Sequence, residues 1–147
     1  MRRLALILFL PSPSESEAEA AEALLPGLRA IRMKRQPAAP TNGSRLSTSS
    51  VHFTPGARTH WHTHPHGQTI YVTEGVGFAQ RRGGSIEVIR PGDRVFFEPG
   101  EDHWHGAAPR RFMTHLAMLE VDDEGHPATW GEPVSDEQYG EAPPIDD

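Results

Sequence analysis

The sequence contains no cysteine, which excludes disulfide bridges, thiolate nucleophiles and cysteine-ligated zinc or iron–sulfur centres. Long apolar runs are also missing, and the run from Leu4 to Leu10 is far too short to span a bilayer. Lysine and arginine form no contiguous patch, and the formal net charge is −6. Affinity for a phosphate backbone comes from clustered cations, so a nucleic acid partner is disfavoured. The sequence thus predicts neither a membrane span nor a nucleic-acid-binding protein.

Residues 1–44 differ in composition from the rest of the chain. Two arginines and the apolar run look like the start of a secretory signal, but Pro11 ends the run after seven apolar residues. Three glutamates then occupy the place where a small neutral cleavage site is needed. We therefore predict a cytoplasmic protein, with secretion as the alternative. Within this segment, Ser14 to Leu25 is predicted to form one short helix and 36–44 a linker or disordered lead-in.

Fourteen glycines and fourteen prolines in 147 residues favour short strands joined by tight turns over a helix bundle. From Arg45 onward, segments with period-two alternation are separated by turn dipeptides. The predicted strands are Arg45–Phe53, Thr59–His64, Gln68–Glu74, Gly77–Arg81, Ser85–Ile89, Arg94–Phe97, His103–Ala107 and Arg111–Val121. We expect one all-β domain, an antiparallel barrel or sandwich over 45–122. A strand fragment around Trp130 and an acidic surface tail are expected over 123–147.

Histidine is concentrated in one part of the chain, because eight of the nine lie between positions 52 and 115. His62 and His64 are two residues apart on a predicted strand, so both imidazoles leave the same face and can share one ion. Gln68 is separated by an even number of residues from the apolar Ile70 and Val72, so its side chain should leave the same face of the strand as theirs. His103, on a later strand, can supply a third nitrogen. Three imidazoles and one amide oxygen suit Mn²⁺, Fe²⁺, Co²⁺, Ni²⁺ or Zn²⁺, with one or two positions left for water or substrate.

The spacing of these residues matches a known family pattern. For the first motif, G-x5-H-x-H-x3-E-x6-G, the chain supplies Gly56, His62, His64, Gln68 and Gly75, with glutamine in place of the usual glutamate. For the second motif, G-x5-P-x-G-x2-H-x3-N, it supplies Gly92, Gly100 and His103, with Glu98 and Ala107 in place of proline and asparagine. The chain therefore resembles the cupin superfamily over 50–121. The resemblance implies a single-domain cupin, which is an antiparallel β-barrel of the jelly-roll type.

Further stretches are similar to the small bacterial manganese cupins that include (R)-selective hydroxynitrile lyases: Phe53–Thr59, Trp61–Pro65, Gly67–Thr69, Pro99–Pro109, Met113–Ala117 and Asp136–Tyr139. The resemblance implies the metal ligands His62, His64, Gln68 and His103, and it implies that His105 and His115 are lumen histidines near the open metal position. It also implies manganese, ahead of iron, zinc, nickel and cobalt, and a homodimer or homotetramer that acts on a small-molecule substrate. Family members usually begin with an extra strand that carries an aromatic-Thr-Gly element. We find no such element in residues 1–44.

The glutamine at position 68 has a physical consequence. A neutral amide leaves the ligand set uncharged, so a bound divalent ion keeps its full charge and is a better Lewis acid. Our hypothesis for cyanohydrin cleavage is that the metal lowers the pKa of the substrate hydroxyl, while His105 or His115 accepts its proton and stabilises or protonates the leaving cyanide. Two alternatives stay open: a cupin dioxygenase, isomerase or decarboxylase, and a non-catalytic small-ligand or metal-binding module.

Simpler interpretations exist for several of these residues. Gln68 can also be explained as an ordinary lining residue that makes a hydrogen bond but does not bind metal. His105 is equally explained as a packing histidine whose ring donates a hydrogen bond to a backbone carbonyl. His115 has the parity of neighbouring apolar residues, which is equally the pattern of a core position. The remaining histidines are predicted to be solvated surface residues: His52, His60, His66 and His126.

Overall fold

The computed structural model describes residues 44–145. The helix predicted at Ser14 to Leu25 lies outside these residues, as does nearly all of the linker predicted at 36–44. Residues 44–145 form nine strands and one short helix, and no helix among them is long and apolar enough to cross a membrane. The elements are β1 Leu46–Phe53, β2 His62–Thr63, β3 Gln68–Gly75, β4 Gly77–Arg81, β5 Glu87–Ile89, β6 Arg94–Phe97, β7 His103–Ala107, β8 Met113–Glu120, β9 Thr129–Trp130 and α1 Asp136–Gly140.

The strands form two antiparallel sheets with a shared core between them. The four-stranded sheet has the order β1-β8-β3-β6, and the five-stranded sheet has the order β5-β4-β7-β2-β9. Most neighbouring strands are distant in sequence, as with β1 and β8, which is typical of jelly-roll connections. The predicted all-β antiparallel fold is therefore confirmed.

Alternation of side chains along β3 and β8 determines which residues enter the core. In β3, Ile70 and Val72 are buried while Tyr71 and Thr73 are exposed. β8 alternates in the same way, and both parities are as predicted. The core between the sheets consists of Val51, Phe53, Ile70, Val72, Ala79, Ile89, Val95, Phe97, Ala107, Met113 and Ala117. The inward-facing histidines share this interior, so their rings have fixed apolar neighbours.

The outer face of the five-stranded sheet is covered by the carboxyl-terminal segment. Trp104 of β7 and Phe78 of β4 pack there against Val134 and Tyr139. The hydroxyl of Tyr139 donates a hydrogen bond of 2.6 Å to the carbonyl oxygen of Ala107 in β7. Because of this cover, all five residues of β7 are buried, on both faces of the strand. We predicted a surface tail in this region, whereas Val134 and Tyr139 are buried.

The strand predicted from 59 to 64 is shorter in the structure, where only the two residues of β2 join the ladder. The chain before β2 runs close to β7, and Arg58 forms an isolated bridge with Gly106. A Cβ atom on Gly106 would lie 2.5 Å from the carbonyl oxygen of Ala57. Glycine at position 106 therefore permits this close approach, which holds the segment against the strand that carries His103 and His105.

Candidate metal centre and adjoining cavity

Three histidines selected from the sequence lie together inside the molecule. β2 and β7 are neighbours in the five-stranded sheet, and their register puts His62 opposite His103. His64 follows directly after β2, two residues beyond His62. All three side chains are buried, and one ring nitrogen from each lies within 4.8 Å of the others. Two distant stretches of sequence thus deliver three imidazoles to one place.

The Nδ1 atom of each of these rings donates a hydrogen bond to a backbone carbonyl oxygen. For His62 and His103 the acceptor lies two residues earlier in the chain, at 2.9 and 2.8 Å. For His64 it is the carbonyl oxygen of Pro127, at 2.7 Å. Since Nδ1 carries the proton in each ring, Nε2 keeps a free lone pair. This is the tautomer that a metal ligand needs.

Burial keeps these imidazoles neutral. Desolvation lowers the pKa of His103 to about 3, and it lowers the pKa of His62 well below its usual value, with repulsion from His103 adding to it. Desolvation also lowers the pKa of His64, against the opposing effect of its hydrogen bond to Pro127. Because a metal ion competes with the proton for the same lone pair, neutral imidazoles are ready to bind one.

Gln68 joins the cluster from the opposite sheet. It is the first residue of β3, pairs with Phe97 of β6 and is buried. The preceding Gly67 has φ +78°, and a Cβ atom there would lie 2.5 Å from the carbonyl oxygen of Phe97. Glycine therefore allows the turn after His64 to bring Gln68 inward. The Oε1 atom of Gln68 then lies 3.2 Å from Nε2 of His103.

The chemistry of this donor set fits a divalent metal ion. Nε2 of His103 and Oε1 of Gln68 are both acceptors, and acceptors at this distance repel unless a proton or a cation lies between them or the amide turns its NH₂ group towards the ring. Burial disfavours the proton, since it lowers the pKa of His103. Three imidazole nitrogens and an amide oxygen are donors that Mn²⁺, Fe²⁺, Co²⁺, Ni²⁺ and Zn²⁺ accept.

His105 and His115 lie beside the cluster. Their ring centroids are 4.9 Å apart and nearly perpendicular, and the His105 ring is 5.3 Å from that of His62. None of the four ring nitrogens makes a hydrogen bond of good geometry to a described residue, although the backbone of Leu116 lies close enough to His115 to oppose the lowering of its pKa. The carbonyl bond expected of a packing histidine is therefore not present at His105. Desolvation lowers the pKa of His115 to about 4 and that of His105 well below its usual value, with repulsion from His115 adding to the shift at His105.

A narrow cavity with a free volume of about 20 Å³ lies beside four of these histidines, His62, His64, His105 and His115. Its lining residues come from both sheets: Ser47, Ser49, Val51, Thr59, His62, His64, Gln68, His105, His115, Ala117, Leu119 and Trp130. The half-buried ring of Trp130 stacks on His62, with centroids 4.6 Å apart. This contact of Trp130 was not predicted from the sequence. The strand fragment expected there was the available signal, because pairing of β9 with β2 puts Trp130 opposite His62.

The remaining histidines lie away from this cluster or at its edge. His66 and His126 are exposed, as predicted. His52 and His60 are half-buried, so the prediction that they are solvated is wrong. His52 shares a hydrogen bond of 2.9 Å with the hydroxyl of Thr114, and the ring of His60 is packed near the entry to β2. Polar side chains at strand ends are covered here by neighbouring strands.

Comparison with known sequences identifies relatives of this chain. A sequence profile described as the cupin domain matches residues 49–114. The chain is also 63% identical over 94 residues to a protein of Granulicella tundricola named (R)-mandelonitrile lyase, and the match covers 64% of this chain and 71% of that protein.

Comparison with solved structures gives the same fold. A cupin-like protein from Thermotoga maritima is 42% identical, with a TM-score of 0.63, and the match covers 67% of this chain and 73% of that one. A polyketide cyclase from Streptomyces resistomycificus is 23% identical, with a TM-score of 0.53, covering 67% of this chain and 68% of that one. This second likeness shows the fold alone, because one fold hosts unrelated reactions.

Proposed function

The chain belongs to the cupin family, and from that premise we propose that it is a metal-dependent lyase that cleaves or forms a small cyanohydrin. The observation that supports this most directly is that two features lie side by side. Three neutral imidazoles present free Nε2 lone pairs, and two further buried imidazoles make no hydrogen bond of good geometry to a described residue. The likeness to (R)-mandelonitrile lyase favours a cyanohydrin over other small hydroxy compounds.

We propose that His62, His64, Gln68 and His103 hold a divalent ion, and that this ion is manganese. When bound, it would supply a Lewis acid that lowers the pKa of a substrate hydroxyl. All four side chains are neutral, so they do not offset the charge of the ion. Their role is to hold it in a fixed geometry, which the three hydrogen bonds from Nδ1 to backbone carbonyls support.

Proton transfer is proposed for His105, whose ring lies nearer the ligand cluster than that of His115. In the cleavage direction, a ring nitrogen of His105 accepts the hydroxyl proton and the O–H electron pair forms the carbonyl bond. The carbon–carbon bond to the nitrile breaks, and cyanide leaves with the electron pair of this broken bond. The proton then passes from His105 to cyanide, which departs as hydrogen cyanide. His115 packs edge-on against His105 at a centroid distance of 4.9 Å and limits the orientations of its ring.

The composition of the cavity walls suits a small, partly apolar substrate. The free volume of about 20 Å³ is room for about one water molecule, so the lining side chains must move apart to admit a cyanohydrin. Val51, Ala117 and Leu119 line it on the side of the four-stranded sheet, opposite the histidines of the five-stranded sheet. An apolar wall facing a few polar groups is the common composition of a small-molecule site. A substrate with its hydroxyl towards the histidines would thus direct its hydrocarbon part to β1 and β8.

The proposal is tested by elemental analysis of the purified protein together with an assay of benzaldehyde release from mandelonitrile. We expect about one divalent ion per chain, with turnover lost on chelation and regained with Mn²⁺. His62→Ala should lose both the metal and turnover, whereas His66→Ala, at an exposed histidine, should keep both. Turnover by metal-free protein would contradict the metal dependence. A stoichiometric metal without turnover of any cyanohydrin would instead favour the non-catalytic binding module.

A further inference from the structure

The three candidate ligand histidines differ in how their rings are held. His62 and His103 each donate from Nδ1 to a carbonyl two residues earlier, so their own strand segments fix the rings. His64 donates instead to Pro127, which is 63 positions away in the sequence. Its orientation therefore depends on a remote segment, the loop between β8 and β9.

Asp122 organises that loop through its side chain. Its Oδ1 atom accepts the N–H groups of Glu124 at 3.0 Å and of His126 at 2.7 Å. Its own N–H donates to the carbonyl of His126 at 3.0 Å, and its carbonyl accepts the N–H of Gly125 at 3.1 Å. These four bonds close a tight turn that ends at His126, directly before Pro127. Proline has no N–H with which to fix its own place in a ladder.

The segment after the turn is fixed by β9, which pairs with β2 through Thr129 opposite Thr63 and Trp130 opposite His62. The carbonyl of Pro127 thus lies between two anchors, the Asp122 turn on one side and β9 on the other. Pairing of β9 does not constrain the chain on the amino-terminal side of Pro127. That side is held by the four bonds of the Asp122 turn, and the carboxylate accepts two of them, from the N–H groups of Glu124 and His126.

We propose that Asp122 is a positioning residue for His64: by closing the turn it holds the carbonyl of Pro127, and that carbonyl sets the tautomer and direction of the imidazole. The inference rests on the proposed function where metal binding is concerned, because it assumes that Nε2 of His64 is a ligand. The hydrogen bond at Nδ1 itself can be tested without any metal. Partners of this kind commonly change metal affinity by about 10–100-fold when removed.

The first measurement is the Nδ1–H signal of His64 in ¹⁵N-resolved NMR spectra of the metal-free, full-length protein. In Asp122→Ala we expect this signal to be lost or exchange-broadened, while the corresponding signals of His62 and His103 stay unchanged. Asp122→Asn should restore it, because an amide oxygen accepts the same two N–H groups. An unchanged His64 signal in Asp122→Ala would overturn the proposal.

The second measurement is Mn²⁺ affinity by isothermal titration calorimetry. Asp122→Ala should weaken binding by up to about tenfold, the lower end of the range for a direct partner of a ligand histidine, because Asp122 acts through the carbonyl of Pro127. Asp122→Asn should bind like the wild type. Glu124→Ala removes the same charge from the same loop without removing a turn acceptor, and it should also bind like the wild type. Equal losses in Asp122→Asn and Asp122→Ala, or in Glu124→Ala and Asp122→Ala, would overturn the proposal. They would mean that the charge of the loop matters, or that Mn²⁺ binds directly to Asp122, Glu124 and His126, whose ligand atoms lie within 4.8 Å of one another.

A milder variant covers the case in which Asp122→Ala does not fold. Asp122→Glu keeps the charge but moves the carboxylate by one methylene, so it should lose the His64 signal as the alanine variant does. Retention of the signal and of Mn²⁺ affinity in Asp122→Glu would count against the proposal. If the wild type binds no Mn²⁺ at all, the proposed function fails, while the NMR comparison still decides the role of Asp122.

Discussion

Nε2 of His103 and Oε1 of Gln68 lie 3.2 Å apart, although neither atom carries a proton in the neutral side chains. Nδ1 of His103 donates to the carbonyl of Glu101, which leaves Nε2 as an acceptor. Two lone pairs thus face each other in a buried site, where the low dielectric strengthens their repulsion. A cation between the two atoms would relieve this repulsion, and the contact connects the two sheets.

Gln68→Glu is expected to raise Mn²⁺ affinity on the order of tenfold, because a carboxylate adds a negative charge to a neutral ligand set. The same charge offsets that of the ion, so cyanohydrin turnover should fall. Calorimetry and steady-state kinetics measure the two effects. Gln138→Glu is the matched control, since glutamate also satisfies the capping box of α1. An unchanged Mn²⁺ affinity in Gln68→Glu would show that position 68 is not a ligand.

Substitution of His105 and His115 separates proton transfer from metal binding. His105→Gln should lower kcat by roughly 10²–10⁴-fold, the usual contribution of a general acid–base group, while elemental analysis shows full metal content. His115→Gln should lower kcat less, because its ring contacts His105 and Phe53 rather than the ligand rings. The reverse order would identify His115 as the base. Full activity in both variants would remove proton transfer by this pair from the mechanism.

Burial of His115 predicts a pH dependence of stability. Its pKa is lowered from 6.5 to about 4 by desolvation, so between these values the unfolded chain binds a proton that the folded protein does not. Stability is full above pH 6.5 and falls as the pH drops towards 4. The contribution of this residue is about 3 kcal/mol, at about 1.4 kcal/mol for each unit of pKa shift.

Urea denaturation of metal-free protein at several pH values measures this effect. Between pH 6.5 and 4, the free energy of unfolding should decrease in both proteins, and the decrease should be smaller in His115→Leu than in the wild type by about 3 kcal/mol. His66→Leu, at an exposed histidine, serves as the control. Parallel pH profiles for the wild type and His115→Leu would contradict the assignment.

Gly67→Ala is expected to destabilise the protein more than Gly83→Ala. Both glycines have φ +78°, so both substitutions carry the cost of a left-handed backbone, about 1–2 kcal/mol. Only at Gly67 would the new Cβ also meet a backbone atom, the carbonyl oxygen of Phe97 at 2.5 Å, whereas nothing lies within 4 Å at Gly83. The difference between the two free energies of unfolding isolates the close contact. Equal values would mean that the turn before Gln68 relaxes freely.

Much of the fold follows from local pattern. Period-two alternation and turn dipeptides predicted the strands, because a sheet with one face in the core requires apolar side chains at every second position. The placement of His62, His64 and His103 followed from motif spacing together with strand parity. Gln68 was reached by the same argument, since its parity matches that of Ile70.

Other features depend on contacts that sequence patterns do not reveal. The acceptor for His64 is a backbone carbonyl, that of Pro127, and any residue type has one. The burial of Tyr139 against the outer face of β7 depends on which face of the sheet lacks a cover. The capping box of Ser135 and Gln138 was a usable signal for α1, because serine followed three residues later by glutamine marks a helix start.

The candidate ligands do not all come from one sheet: three are attached to the five-stranded sheet, and Gln68 begins a strand of the four-stranded sheet. An ion held by all four would therefore act as a removable cross-link between the two halves of the barrel. Resistance to heat would then depend on the free concentration of metal, since a ligand bound only by the native state stabilises it by mass action. Thermal melting with and without chelator would report on occupancy in samples too dilute for elemental analysis.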